Sequence, residues 1–376
     1  MKVLFTASVV SHIQAFHLPY LQYFRAQGFE VHTAAKGDAP PFAHRHYDIA
    51  FARSPFKIAN IAGCRQLRRI INENGYDMIH CHTPAVGALT RLAARKARKK
   101  GTQVVYTAHG FHFYKGAPLV QAALFRIVEK YLSRYTDCLI TMNAEDFEAV
   151  RKYGFHAGAY VQVHGVGVDG ARFAPQTPEG KAAARQACGL PKDAFVLIFA
   201  AEFIPRKNQQ MLLKAAALIK DSIPQLLLLL PGDGPLRETY ENTIEAYGLQ
   251  NHVKLPGYRS DMEQLLAASD LAVSSSLQEG LPINIVEAMA VSLPVVATRV
   301  RGHTDLIEEG RNGLLAEVND AAGMAKMIQY LFEHPHTMAQ MQRMTLTMVQ
   351  PFLLEKAGAE MFEIYEKLGI KKNAGE

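Results

Sequence analysis

Two glutamates eight positions apart, Glu279 and Glu287, bracket the run Gly280-Leu281-Pro282-Ile283-Asn284-Ile285-Val286. The first stands in a Gly/Pro turn and the second lies within a helix-like stretch. A strand-like run, Asp270-Leu271-Ala272-Val273-Ser274, precedes them. That order predicts a loop at a strand's carboxyl end, where open α/β sheets bind ligands. At the helix start the N–H groups of Ile283, Asn284 and Ile285 would be unpaired, a ready anion site. A turn carboxylate there can hold sugar hydroxyls while the helix tip holds phosphates, and Glu287 can reach a ribose. An ordinary strand–loop–helix with two solvated glutamates fits the spacing equally well. A cationic pair, Arg206-Lys207, follows the strand-like residues 194–201 and opens a helix expected over 208–221. Adjacent Arg and Lys at a strand end suit a diphosphate; a solvated pair is the plain alternative.

The first half of the chain carries a different chemistry. His109-Gly110 ends a strand expected over 103–108, and the aromatic and basic run Phe111-His112-Phe113-Tyr114-Lys115 follows. A histidine at a strand's carboxyl end is well placed for a ligand; an apolar loop packed on the core is the competing reading of the aromatics. His80 and His82 end a strand over 77–82, and alternation puts them on one face. They could bind metal, but no third ligand is evident, so one is expected to pack and one to face a ligand. Arg95-Lys96-Ala97-Arg98-Lys99-Lys100-Gly101 closes a helix expected over 85–100. Cations there complement the helix's negative end, and Gly stops it. They would also suit anionic lipid headgroups, at about 1 kcal/mol per basic residue. The two readings are compatible.

Alternating strands and helices must position these groups. A buried strand over 2–7, a Ser8-Val9-Val10-Ser11-His12 loop, a helix over 17–27 and a strand over 29–35 make a βαβ start, so a doubly wound α/β sheet is expected. Residues 38–60, with Pro40, Pro41 and Pro55, read as irregular. No GxGxxG dinucleotide fingerprint follows the first strand, which argues against a dehydrogenase. A second sheet begins near 194 after a Pro- and Ala-rich linker holding a short helix. At 376 residues, two domains are expected. Residues 1–167 hold 21 Lys+Arg against 10 Asp+Glu, and the remainder 20 against 25, so the two halves should meet different partners. The basic half suits anionic lipid or a diphosphate-bearing substrate. Nucleic acid is excluded: no recognition motif or Trp is present, and aromatics are not interleaved with the basic residues. Four scattered cysteines without CxxC spacing argue against disulfides and zinc. The start lacks a signal peptide's apolar core, and the longest apolar runs are strand-length, so a cytoplasmic location is expected.

Glu-x7-Glu in this setting resembles the motif of retaining, nucleotide-sugar-dependent glycosyltransferases of family 4, which have the GT-B fold. The resemblance covers nearly the whole chain and is nearest to bacterial enzymes that build capsule, exopolysaccharide or lipid-carrier-linked glycans. It implies two Rossmann-like domains facing across a cleft. An acceptor domain spans 1–167, joined by a C-terminal helix over 350–370 that crosses back to it, and a donor domain spans 168–349. It implies a metal-independent hexosyltransferase with no cofactor, its nucleotide-sugar being a substrate, UDP-linked and carrying a hexose or hexosamine. By resemblance His109 touches the transferred sugar, Arg206 and Lys207 bind the donor diphosphate, Glu279 grips sugar hydroxyls and Glu287 the ribose. Gly257 and Tyr258 read the nucleobase, while His12, Phe111, His112, Tyr114 and Lys115 lie on the acceptor side. The acceptor would be a polyprenyl-diphosphate-linked sugar, reached peripherally on the inner face of the cytoplasmic membrane through the basic first domain. No Asp-x-Asp occurs, so the metal-using route lacks its signature. Two alternatives remain: a GT-B nucleotide-sugar epimerase, and a non-catalytic nucleotide-sugar-binding protein. Residues 302–307 and 310–315 look like the family's remaining loop and hairpin, with no contact assigned.

Overall fold

The computed structural model describes residues 1–52 and 59–371. Pro55, part of the expected irregular stretch, lies outside them. The chain divides into two compact units: Met1–Gly167 together with the residues from Glu355 onward, and Val168–Leu354.

The first unit is built on seven strands: β1 (Lys2–Val9), β2 (Glu30–Lys36), β3 (Arg45–Asp48), β4 (Met78–His82), β5 (Gln103–Ala108), β6 (Cys138–Thr141) and β7 (Ala159–Gln162). Their order is β3-β2-β1-β4-β5-β6-β7, and every neighbouring pair is parallel. The second unit has β8 (Phe195–Ile198), β9 (Leu226–Leu229), β10 (Val253–Lys254), β11 (Leu271–Ser274), β12 (Val295–Thr298) and β13 (Gly313–Ala316). Its order is β10-β9-β8-β11-β12-β13, again all parallel. Both are Rossmann-like doubly wound sheets, with switch points between β1 and β4 and between β8 and β11.

Burial on both faces explains the apolar strand runs. In the second unit Leu197, Leu226, Leu228 and Val273 pack into one core layer, while Ile198, Leu227, Leu229 and Ala272 pack into the other. Side chains alternate across a strand, so a run of five leucines feeds both layers. The helix Leu354–Lys367 packs on the first unit. Its Tyr365 hydroxyl meets His80 Nδ1 at 2.9 Å, and Phe362 stacks on Tyr23 with ring centroids 3.7 Å apart.

Several local expectations are corrected. The Ser8–His12 loop does not form: β1 runs through Val9, and a helix Val10–Phe16 follows, burying Val10 and Ile13 one turn apart. Residues 45–48, expected to be irregular, form the edge strand β3. The helix expected over 85–100 breaks into Pro84–Ala93 and Arg95–Arg98. Arg206 and Lys207 do not open a helix. They sit on a 3₁₀ turn, Pro205–Lys207, closed by Asn208 in a left-handed conformation (φ 52°) before the helix Gln209–Ile219. The expected hairpin near 310–315 is instead β13, parallel to β12. A Cβ on Gly313 would lie 2.2 Å from the Val295 carbonyl, so only glycine fits there.

Candidate active site

In the second unit the loop after β11 and the turn after β8 are sewn together. Leu277 N–H donates to the Arg206 carbonyl at 2.8 Å, and Ser275 Oγ donates to the Lys207 carbonyl at 3.0 Å. This seats Glu279 against both cations. Lys207 Nζ donates to Oε1 at 2.5 Å, and Arg206 donates to Oε2 at 3.2 Å and to the Gln278 carbonyl at 2.9 Å. Burial pushes the Glu279 carboxyl up, but Lys207 and Arg206 outweigh it and hold it below the usual carboxylate range. The Lys207 side chain is 14% exposed and that of Arg206 43%, so Arg206 keeps donors turned outward. An ionised carboxylate has about four acceptor sites, which leaves Glu279 free capacity for hydroxyls.

The helix tip lies next along the chain. Ile283 and Asn284 N–H have no backbone acceptor among the described residues, as expected for a first turn. Ile285 differs from expectation: its N–H donates to the Pro282 carbonyl at 3.1 Å, and its side chain is buried. The anion site is therefore narrower by one donor. Asn284 Nδ2 ties the tip to the Ala200 carbonyl beyond β8 at 3.1 Å. Glu287, one turn further, has its carboxyl pushed up to about 7 by burial; Glu263 adds to this and Arg172 opposes it. At the neighbouring strand ends, Gly232 N–H donates to the Gly257 carbonyl at 2.8 Å. A Cβ on Gly232 would lie 2.0 Å from the Ala201 carbonyl, so these loops close only with glycine. Tyr258 is 86% exposed and turns its ring to solvent rather than to the core.

Two residues of this site escaped the sequence reading. Arg301 Nε donates to the Glu279 carbonyl at 3.0 Å, and buried His303 bridges Ser274 Oγ (3.1 Å) and the Thr298 carbonyl (2.7 Å). Between them Gly302 (φ 82°) passes so near Gly280 that a Cβ would lie 2.6 Å from its carbonyl oxygen. The available signal was positional: Arg301 follows the carboxyl end of β12 much as Arg206 follows β8.

The first unit gathers imidazoles. His109 Nε2 lies 3.3 Å from His12 Nε2 and 3.4 Å from His82 Nδ1, while His17 stacks on His82 at 3.7 Å between centroids. Burial lowers all four pKa values, that of His12 to about 4 and those of His17, His82 and His109 well below the ordinary value; mutual repulsion helps in the last three. These are neutral rings, each with one donor and one acceptor. His17 Nε2 and His82 Nε2 are buried without partners. The cluster thus has more ring nitrogens than internal partners and can exchange hydrogen bonds with a polar ligand. The four rings offer one nitrogen each within 4.8 Å of one another, a set that could hold a transition-metal ion. This corrects the expectation that no third ligand is evident near His82, while His80 packs, as expected of one of the two. His80 is consumed by Tyr365 and by Thr107 (2.7 Å), and His82 joins three histidines from other segments.

The acceptor-side run splits. Phe111 is buried and stacked on Phe113 at 4.6 Å, which places it in the core and away from any acceptor surface. His112 is exposed and stacks on Phe125 at 4.7 Å. It shares with His12 a cavity of about 400 Å³ whose wall includes Val9, Leu124, Phe125 and Val128. Tyr114 and Lys115 line another hollow, of about 660 Å³, beside Arg126 and Tyr153.

Known proteins resemble this chain over nearly its whole length. The family described as Glycosyl transferases group 1 matches residues 180–345, and the one described as Glycosyl transferase 4-like matches residues 2–143. The chain is 42% identical over 365 residues to a Bacillus subtilis (strain 168) protein named glycosyltransferase EpsD, covering 97% of this chain and 96% of that one. It is 27% identical over 321 residues to an Escherichia coli protein named UDP-Gal:alpha-D-GlcNAc-diphosphoundecaprenol alpha-1,3-galactosyltransferase, covering 83% and 82%. Among solved structures it is similar to Anabaena Alr3699/HepE in complex with UDP and glucose, with TM-score 0.81 at 23% identity over 98% of this chain and 100% of that one. Sucrose-phosphate synthase from Thermosynechococcus elongatus gives TM-score 0.81 at 21% identity over 98% and 99%. At such identities these two structures speak for the fold.

Proposed function

The chain belongs to the family 4-like glycosyltransferases of GT-B fold and is a sugar-transferring enzyme; on that premise we propose that it moves a hexose or hexosamine from a UDP-sugar to a polyprenyl-diphosphate-linked glycan with retention at the anomeric carbon. The observation that carries this reading is the buried Glu279 held by Lys207 and Arg206 beside the free N–H groups of Ile283 and Asn284.

The hard step is departure of a nucleoside diphosphate while an oxocarbenium-like sugar forms. Arg206, Lys207 and the helix tip take up the negative charge that grows on the leaving oxygen. A well-placed donor of this kind supplies about 3–4 kcal/mol. Glu279 serves twice: it orients both cations before donor arrives, and its spare lone pairs accept sugar hydroxyls. Glu287 accepts the ribose hydroxyls, and Tyr258 lies against the nucleobase. Neutral His109 hydrogen-bonds the transferred sugar, with His12 beside it. The acceptor hydroxyl attacks from the face the diphosphate leaves, and its proton passes to the departing phosphate oxygen. No separate carboxylate base is needed, and Glu279 is not a glycosidase-style nucleophile, which would need a flanking partner.

Support for a lipid-linked acceptor comes from the printed name of the E. coli relative, from the basic first half and from the apolar cavity beside His12. The same features support peripheral contact with an anionic membrane, in polysaccharide or glycan assembly. Among the described residues no helix is long and apolar enough to cross a membrane. The relatives give the epimerase reading no support. The test is UDP release from a panel of UDP-sugars offered polyprenyl-diphosphate sugars, with the product's anomeric configuration read by NMR. Retained configuration is expected. An inverted product, epimerised donor without acceptor, or donor binding with no UDP release in any mixture would each overturn the reading.

A further inference from the structure

The helix Leu119–Ser133 is dressed the wrong way round for a surface helix of a soluble domain. Such a helix turns its charges outward. This one exposes Leu119, Val120, Leu124, Ile127, Val128 and Tyr131, with Leu119 and Val120 the most open. The spacing 120, 124, 127, 131 puts these residues along one stripe. Its one carboxylate, Glu129, is turned inward and paired with fully buried Arg91 at 2.8 Å. The outer face therefore carries no negative charge.

The stripe ends in a belt. Tyr131 and Tyr135 hydroxyls meet at 3.1 Å; the Arg134 guanidinium lies 5.9 Å from the Tyr131 ring and that of Arg95 lies 5.3 Å from the Tyr135 ring. Arg95 opens the basic segment that runs to Lys100. Apolar side chains bounded by tyrosine and arginine match the layering of a bilayer, with hydrocarbon under a headgroup zone where aromatic rings and cations are favoured. Apolar area and attraction to anionic lipid act together on such a surface. A second copy of this chain is a poor occupant, because a two-fold contact would set this basic belt against itself.

We propose that this helix face seats the first unit on an anionic bilayer and brings lipid-borne acceptor to the histidine cluster. Leu124 and Val128 belong both to the exposed stripe and to the wall of the 400 Å³ cavity. The same cavity is lined by His12, whose ring nitrogen is 3.3 Å from that of His109. One continuous lining thus runs from the bilayer-facing stripe to the imidazoles. The buried Arg91–Glu129 pair ties the inner side of the helix to the helix Pro84–Ala93 of the same unit. The delivery role rests on the lipid-linked-acceptor reading; the seating itself does not.

The chain contains no tryptophan, so I127W is a single reporter. With vesicles of phosphatidylcholine containing phosphatidylglycerol, its emission should shift to the blue and be quenched by brominated acyl chains. L218W, at an exposed position on the second unit's helix Gln209–Ile219, should show neither change. V120E/I127E should bind the same vesicles about tenfold more weakly or worse in sedimentation, and V120S/I127S should show the same direction should the glutamates disturb folding. Equal binding by both double variants, or an I127W response no larger than that of L218W, would overturn the proposal. So would a dimer in light scattering that V120E/I127E abolishes while vesicles leave I127W unchanged, since that assigns the face to a second copy. Vesicle binding needs no sugar nucleotide. Absence of vesicle binding by the parent protein with UDP release intact removes the seating alone, and vesicle binding without UDP release removes only the transferase chemistry.

Discussion

The two units solve the problem of buried polar groups in opposite ways. In the second, Glu279 stays ionised under cover because Lys207 and Arg206 are bonded to it. In the first, burial drives the charge off His12, His17, His80, His82 and His109 altogether. One site is charge-compensated and the other charge-suppressed. The difference fits the work each is proposed to do. A departing diphosphate needs fixed positive charge that costs no reorganisation. A sugar and an incoming hydroxyl need neutral groups that donate and accept without binding an anion.

The sharpest test removes one side of the compensation. Lys207→Ala should lower UDP-releasing turnover by about 10²–10³-fold in protein that remains folded by circular dichroism. It should also melt earlier, because Glu279 is left buried with one partner. Turnover near that of the parent would take Lys207 out of the donor site.

Acid should part the two units next. A histidine whose pKa is lowered by folding contributes stability that is present above its unfolded value near 6.5 and lost as pH falls toward the folded value. For His12 that is about 4. His12 alone accounts for a loss on the order of 2 kcal/mol, and its neighbours add to it. In the second unit Glu279, held below the usual range, loses its contribution only below about pH 4.5. Glu287, raised to about 7, gains as pH falls through that value, with buried His303 opposing. Limited proteolysis between about pH 6.5 and 4.5 should cut the first unit before the second. Simultaneous cleavage, or the reverse order, would break the comparison.

The smallest effect is the most informative about the donor. A Glu287 carboxyl near 7 accepts hydrogen bonds from both ribose hydroxyls most strongly once it has lost its proton. UDP binding should therefore tighten by up to about tenfold from one pH unit below that value to one above. Calorimetry should show this slope in the parent, and Glu287→Gln should flatten it. A slope that survives the substitution would assign the titration to another group.

Much of this was open to reading in the chain. The Leu226–Leu230 run is strand-length and uninterrupted, so a strand buried on both faces follows from its length and unbroken apolar character. Glu279, the Arg206-Lys207 pair and the helix after Pro282 stand where strand ends meet loops, a local pattern. Errors came where neighbours along the chain mislead. Phe111 sits in a polar-looking aromatic run, but its ring goes to Phe113 and Phe155 in the core. Ser8 to His12 read as loop, since the helix Val10–Phe16, seven residues with two buried positions, makes a weak helical pattern.

What local sequence determined is therefore most of the elements and the type of group at each strand end, because these depend on side-chain period and on turns within a few residues; it missed the helix Val10–Phe16 and β3, and it read parallel β13 as a hairpin. Tertiary structure alone decided which groups meet. His12 and His109 are separated by 97 positions, Lys207 and Glu279 by 72, and His80 and Tyr365 by 285. No periodicity spans such distances. The first two close only when parallel strands, joined through crossover helices, line up their carboxyl ends, and the third when the helix Leu354–Lys367 packs on the first unit; burial then fixes which of the gathered groups keep a charge.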